Sequence, residues 1–239
     1  MGALPLIHRM PPPTHIGRTP EEIVSQNLRF NSVGYFYRAV SWLNYFQRTE
    51  HFPALLYACI EGRFGIEYLL FEELVIGTGA NLSRDDYEKC LKERTKLLKA
   101  IEKLIPDYEK LQQFTSACVS LEPRLPKIIY WQPRQLMKSW GDLSEYLHWF
   151  GARAETTELA SWRARTYKEV ENTIMPIWEK IVLGRSAFLH PNNMTPEIRE
   201  VWLSFKNGGT DLHGAKIQMD VLKPMLLQKY NDNPLEPLR

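Results

Sequence analysis

Cysteine is scarce in this chain: Cys59, Cys90 and Cys118 are the three found among 239 residues. They lie far apart and never form a Cys-x-x-Cys step, which excludes a disulfide framework and a zinc knuckle. Reduced, mostly buried thiols are expected instead. Charge of one sign is also lacking. The 30 basic and 28 acidic side chains leave a formal net charge of +2. That is too little for a global attraction to nucleic acid or to an anionic membrane, although a local basic patch stays compatible with it. No apolar run approaches the roughly 18 residues needed to span a bilayer. The opening MGALPLIHRMPPPTHIGRTP lacks the apolar core and small-residue cleavage site of a secretory signal. Leu6 stands where a myristoylation pattern needs Ser or Thr. A cytoplasmic protein without a membrane partner is the expectation.

Several motifs that carry chemistry are missing too. The sequence has no GxxxxGK[ST], no GxGxxG after a strand and no GxSxG, so the common nucleotide-binding and hydrolase classes lose their support. HExxH, an EF-hand loop and a Cys/His cluster are absent as well. Glu145 and His148 form a single Glu-x-x-His step, whereas a di-iron bundle needs a pair of such steps and further glutamates. Neither a metal nor a cofactor is expected.

What the sequence does contain is a helical pattern. A hydrophobic fraction of 44% with 24% charged residues is ordinary for a folded globular protein. Pro5, Pro11, Pro12 and Pro13 forbid a regular helix at the start and leave an extended arm. Thr19-Pro20-Glu21-Glu22 then reads as a helix start: a hydroxyl cap, proline at the first helical position and a glutamate three residues after the cap. This first helix is expected to run to about Phe46, with aromatic residues on more than one face. A second helix follows Pro53, with Leu55, Leu56, Cys59, Ile60, Ile66, Leu69, Leu70 and Leu74 at helical spacing, and Gly77-Thr78-Gly79 ends it.

Ser83 caps a third, amphipathic helix reaching Ile105, and a continuation beyond Pro106 extends toward Val119. Pro123, Pro126 and Pro133 flank IIYW, a short extended segment or an ordered loop. Helical pattern resumes over about Arg134 to Phe150 and again from about Glu155 to Leu183, with Pro176 as a kink or boundary. Thr195-Pro196-Glu197 repeats the cap logic and opens a helix toward Phe205, and a last helix spans about Asp211 to Tyr230. Trp131, Trp140, Trp149, Trp162 and Trp178 fall at helical spacings that favour a core role, with base stacking as the alternative. The expected fold is all-α: an irregular helical bundle of about seven helices with a Pro-rich N-terminal arm. Residues 1–18 form the arm and 19–239 a single helical domain, within which 83–150 reads as an insertion or extension.

The stretch GRSAFLHPNN, residues 184 to 193, carries the functional reading. Arg185 precedes His190 by a few residues, between a helix ending IWEKIVLG and one starting TPEIREVW. Arg9 and His15 are similarly spaced, but a proline-rich arm cannot hold a catalytic geometry. Together with YACIEGRFGIEYLLFEEL, whose Arg63, Glu67 and Glu72 sit among apolar residues, the stretch resembles the HEPN superfamily of small helical bundles. Members of that superfamily often carry an arginine before a histidine in a segment joining two helices. Ser186 stands where they commonly have Asn or Asp.

The resemblance implies a metal-independent endoribonuclease, of a toxin–antitoxin or phage-defence system, in which two protomers bring their Arg/His segments into one cleft. His190 would accept the proton from the attacking 2′-hydroxyl, since its ordinary pKa lies near neutrality. Arg185 would stabilise charge on the phosphoryl oxygens. Ser186 and Asn192 would orient the phosphate or the imidazole as substrate-binding groups. A homodimer, an RNA substrate and an antitoxin or other protein partner follow from the same resemblance. The alternative is a non-catalytic helical module that binds a protein or a nucleotide. In that case Arg185 complements the dipole at a helix end and His190-Pro191 merely begins a turn.

Overall fold

The computed structural model describes residues 14–25, 31–93, 96–121, 128–148, 160–184 and 186–232. Among these the fold is all-α, with ten α-helices. In chain order they are α1 (Pro20–Ser25), α2 (Ser32–Thr49), α3 (Phe52–Gly77), α4 (Arg84–Lys92) and α5 (Leu97–Leu104). They continue with α6 (Tyr108–Ser120), α7 (Pro133–His148), α8 (Ala160–Leu183), α9 (Pro196–Lys206) and α10 (Leu212–Asp232). Residues 129–132, within IIYW and after it, are non-helical.

The expected count of about seven helices is too low because the first expected helix is two, α1 and α2, and the third with its continuation is three, α4 to α6. Asn31 adopts an extended backbone and its side chain accepts from the Gly34 N–H at 2.9 Å, so α2 begins afresh there instead of continuing α1. The helix expected from Ser83 to Ile105 stops at Glu93 and restarts as α5. Short polar side chains compete with the helix for backbone groups, and at Asn31 the local bond prevails. Pro176, in contrast, is not a boundary: α8 continues on both sides of it.

Two compact units account for the chain, one built from residues 1–65 and 139–182 and the other from 66–138 and 183–239. In the first, α2 supplies Phe36, Ala39, Val40 and Leu43, α3 supplies Leu55, Ala58 and Cys59, and α8 supplies Val170, Ile174 and Trp178, all buried. Arg38 is buried alongside them, its Nε 2.9 Å from Glu61 and its guanidinium 4.6 Å from the Tyr35 ring centroid. Burial pushes the Glu61 carboxyl up, and the Arg38 charge and hydrogen bond oppose that rise.

In the second unit, α6, α9 and α10 enclose a core of Leu111, Phe114, Met194, Val201, Trp202, Phe205, Ala215 and Met219. The Phe114 ring lies 5.3 Å from Trp202 and 6.1 Å from Phe205, centroid to centroid. Side chains of this size contribute about 1.5–3 kcal/mol each by leaving water. Thr195 accepts from the Ile198 N–H at 3.4 Å and Pro196 follows at the first helical position, so α9 starts where its sequence places it.

The tryptophans follow the core reading at Trp131 and Trp178, which are buried. Trp140 is partly buried and carries the Arg63 guanidinium 4.5 Å from its ring centroid; Trp149 lies outside the described residues. Cys59 is buried, while Cys90 and Cys118 are half-buried. Burial pushes the Cys59 and Cys118 thiols up to about 12, which leaves both protonated and unreactive near neutral pH. No described helix is long and apolar enough to cross a membrane.

Candidate functional site

The segment between α8 and α9 is held by side chains spaced along its length. Ser186 Oγ donates to Glu73 Oε1 of α3. The Phe188 ring packs on Tyr108 of α6 with centroids 5.1 Å apart, and the Leu189 N–H donates to Thr115 Oγ1 at 2.8 Å. His190 comes next, with its ring against Gly79: a Cβ there would fall 2.9 Å from the imidazole Cγ. Gly79 has φ of +62°, so both its backbone and its neighbour require glycine. Pro191–Asn193 then form a single 3-10 turn.

Arg185 lies outside the described residues. Of the other expected site residues, His190 is half-buried and serves as the cap of the 3-10 turn, its Nδ1 accepting from the Asn192 N–H at 3.2 Å. Asn192 is exposed and contributes its backbone to that bond. Ser186 faces a buried carboxyl of its own chain. The structure thus gives Ser186, His190 and Asn192 distinct local partners.

An imidazole that accepts at Nδ1 carries its proton, when neutral, on Nε2. Nε2 is then a donor, and the Nδ1 lone pair accepts in the cap. Such a ring is suited to closing a turn and to donating one hydrogen bond.

Glu73 is the group that sequence reasoning missed. It has no exposed surface, accepts from the Tyr108 hydroxyl at 2.6 Å, and lies 3.5 Å from Gln112 Nε2, which also donates to Tyr108 Oη at 2.8 Å. Burial pushes the Glu73 carboxyl up, while the hydrogen bonds from Ser186, Tyr108 and Gln112 oppose the rise and the neighbouring Glu72 adds to it. The Tyr108 phenol is pushed up by burial and by the Glu73 charge. A usable signal did exist in the sequence. Glu73 shares the stripe of Ile66, Leu70 and Leu74, and Gln112 and Thr115 share that of Tyr108 and Leu111, so polar residues stand at core positions on two helices.

Beside this network the second unit has a groove of about 940 Å³. Ile101, Ile105, Tyr108 and Pro133 supply apolar lining, and Glu102, Asp107, Arg134 and Lys138 supply charge. Much of that charge is already paired: Arg134 with Glu102 at 2.9 Å and Lys206 with Asp107 at 2.5 Å. A phosphate site concentrates unpaired positive charge, and this groove mixes signs that neutralise each other. No family model, no curated protein and no solved structure matches the chain.

Proposed function

We propose that the chain is a non-catalytic helical module that binds a protein partner. The observation that carries this reading is the bond from the Asn192 N–H to His190 Nδ1, which commits the imidazole to the turn before α9. The self-paired charges of the groove beside Tyr108 favour a protein over a nucleotide, because a peptide surface needs apolar contact and scattered hydrogen bonds more than a cluster of cations.

A second reading is the HEPN-like metal-independent endoribonuclease, a homodimer joining two Arg185/His190 pairs over RNA, within a toxin–antitoxin or phage-defence system. The pinning of Ser186 and Leu189 to α3 and α6 favours it, since a catalytic segment needs rigid supports. One experiment separates the two: RNA cleavage in EDTA by wild type, R185A and H190A, with thermal melting of each. The proposed reading expects no cleavage by any of the three and a lowered melting temperature for H190A. Cleavage by the wild type that both substitutions abolish would replace it with the nuclease.

A further inference from the structure

Residues Thr14 to Arg18 form a non-helical strap on the first unit, and α2 grips this strap mainly by its main chain. The Tyr37 hydroxyl donates to the Thr14 carbonyl at 2.8 Å, the Gly17 N–H donates to Asn44 Oδ1 at 2.9 Å, and Arg48 Nη2 donates to the Arg18 carbonyl at 2.6 Å. Tyr37, Asn44 and Arg48 follow one another at helical spacing, which aligns them on one face of α2. Two strap side chains add selectivity. His15 meets Trp178 of α8 edge-on with centroids 6.2 Å apart, and the Arg18 guanidinium lies 5.3 Å from the Tyr37 ring centroid while donating to the Tyr37 hydroxyl at 2.5 Å. Ile16 is left 63% exposed and takes no part.

Carbonyl and N–H groups are common to all residues, so a helix face that reads them accepts any extended segment able to follow the same path. The path itself is restrictive at one point: Gly17 has φ of +81°, which side-chain-bearing residues rarely adopt. Arginine next to that glycine gains both the Tyr37 ring and its hydroxyl. We propose that this α2/α8 face is a binding site for an extended segment of a partner protein in which glycine is followed by arginine. Thr14–Arg18 occupies the site in cis as a stand-in ligand. A strap donated by a second copy fits poorly, because Thr19 caps α1 directly after Arg18. Its N–H donates to Glu22 Oε2 at 2.8 Å and its Oγ1 accepts from the Glu22 N–H at 3.3 Å, so α1 begins where the strap ends and few residues separate the strap from its own helix.

The test uses the full chain. G17P removes the N–H that Asn44 accepts and forces φ negative, which undocks the strap without touching α2. R18A, also confined to the strap, is run alongside, and circular dichroism and melting establish that each variant is folded. A fluorescein-labelled peptide PTHIGRT is titrated by anisotropy. G17P is expected to bind it at least about tenfold more tightly than the wild type, whose site is filled at the high effective concentration of a tethered ligand. R18A is expected to fall between the two.

Adding N44A to G17P is expected to weaken binding about fivefold, the loss of one hydrogen bond, and the peptide PTHIPRT is expected not to bind. Folded G17P and R18A chains that leave the peptide unbound would overturn the proposal. So would equal binding by wild type, G17P and G17P with N44A, or a dimer that forms as the strap is released. The proposal shares with the protein-binding reading only the premise that the chain binds protein, and a failed titration leaves the RNA-cleavage result untouched.

Discussion

Two irregular segments, one in each unit, are fastened to helices by opposite means. Thr14–Arg18 is held through its carbonyls and N–H by side chains of α2, near the surface. The segment from Ser186 to His190 is held through its own side chains and one N–H, and its first anchor is a carboxyl with no exposed surface. The difference separates a replaceable contact from a built-in one. A main-chain grip at the surface constrains sequence only at the Gly17 turn and where His15 and Arg18 meet aromatic rings, and it costs little to release. A buried carboxylate whose donors come from α6 and the α8–α9 segment must stay satisfied, because each unpaired buried group costs about 1–3 kcal/mol.

Breaking the buried anchor is expected to have the largest effect. E73A leaves Tyr108, Gln112 and Ser186 without their shared acceptor and opens a void in the second unit, for an expected loss of about 3 kcal/mol. Chemical denaturation of both proteins measures it. E73Q should lose much less, since an amide can accept from one hydroxyl and donate to the other.

The two segments should also respond to pH with opposite signs. Glu73 has its folded pKa raised by burial, so between the ordinary carboxylate value and the raised one the native state holds a proton that the unfolded chain has lost. Its contribution is full below the ordinary value and is lost as pH rises through the folded one. His15 is lowered by burial against Trp178, so docking of the strap is favoured above the ordinary histidine value and is lost as pH falls through the depressed one. Global stability measured against pH in wild type and E73Q checks the first, and the upward-pH loss should vanish in E73Q. Limited proteolysis of the strap against pH checks the second, with cleavage expected to increase on acidification.

A smaller effect is expected at His190. H190A removes the acceptor for the Asn192 N–H and should cost about 1 kcal/mol, the usual worth of a cap. The smallest belongs to the strap: R48A should shift the melting temperature little, because its bond to Arg18 is exposed, while increasing proteolysis between residues 14 and 18.

Sequence pattern located the parts of this fold that depend on local chemistry. Thr19, Ser83 and Thr195 each cap the helix they precede, and the reciprocal Thr19–Glu22 bonds follow from their spacing alone. The start of α2 is harder to read, since the aromatic run after Asn31 keeps a helical period that does not mark the cap at Asn31. The Glu73 network is not legible from local spacing because its members lie far apart in the chain: Tyr108 is 35 residues and Ser186 is 113 residues from Glu73. Glu72, the neighbouring acidic residue of the same apolar helix, lies off the stripe that Ile66, Leu70 and Leu74 define. His190 was legible as a residue near a turn, but which nitrogen is engaged depends on the backbone of Asn192, which no spacing reveals.

The tautomer of His190 separates a turn-closing imidazole from a general base. Long-range proton–nitrogen NMR correlations at a pH where the ring is neutral distinguish a protonated Nε2 from a protonated Nδ1. The expected result is a proton on Nε2 with Nδ1 in the acceptor state, as the bond from Asn192 requires. A proton on Nδ1, leaving Nε2 free to accept from a 2′-hydroxyl, would contradict the assignment of this histidine to the turn and restore it as a general base.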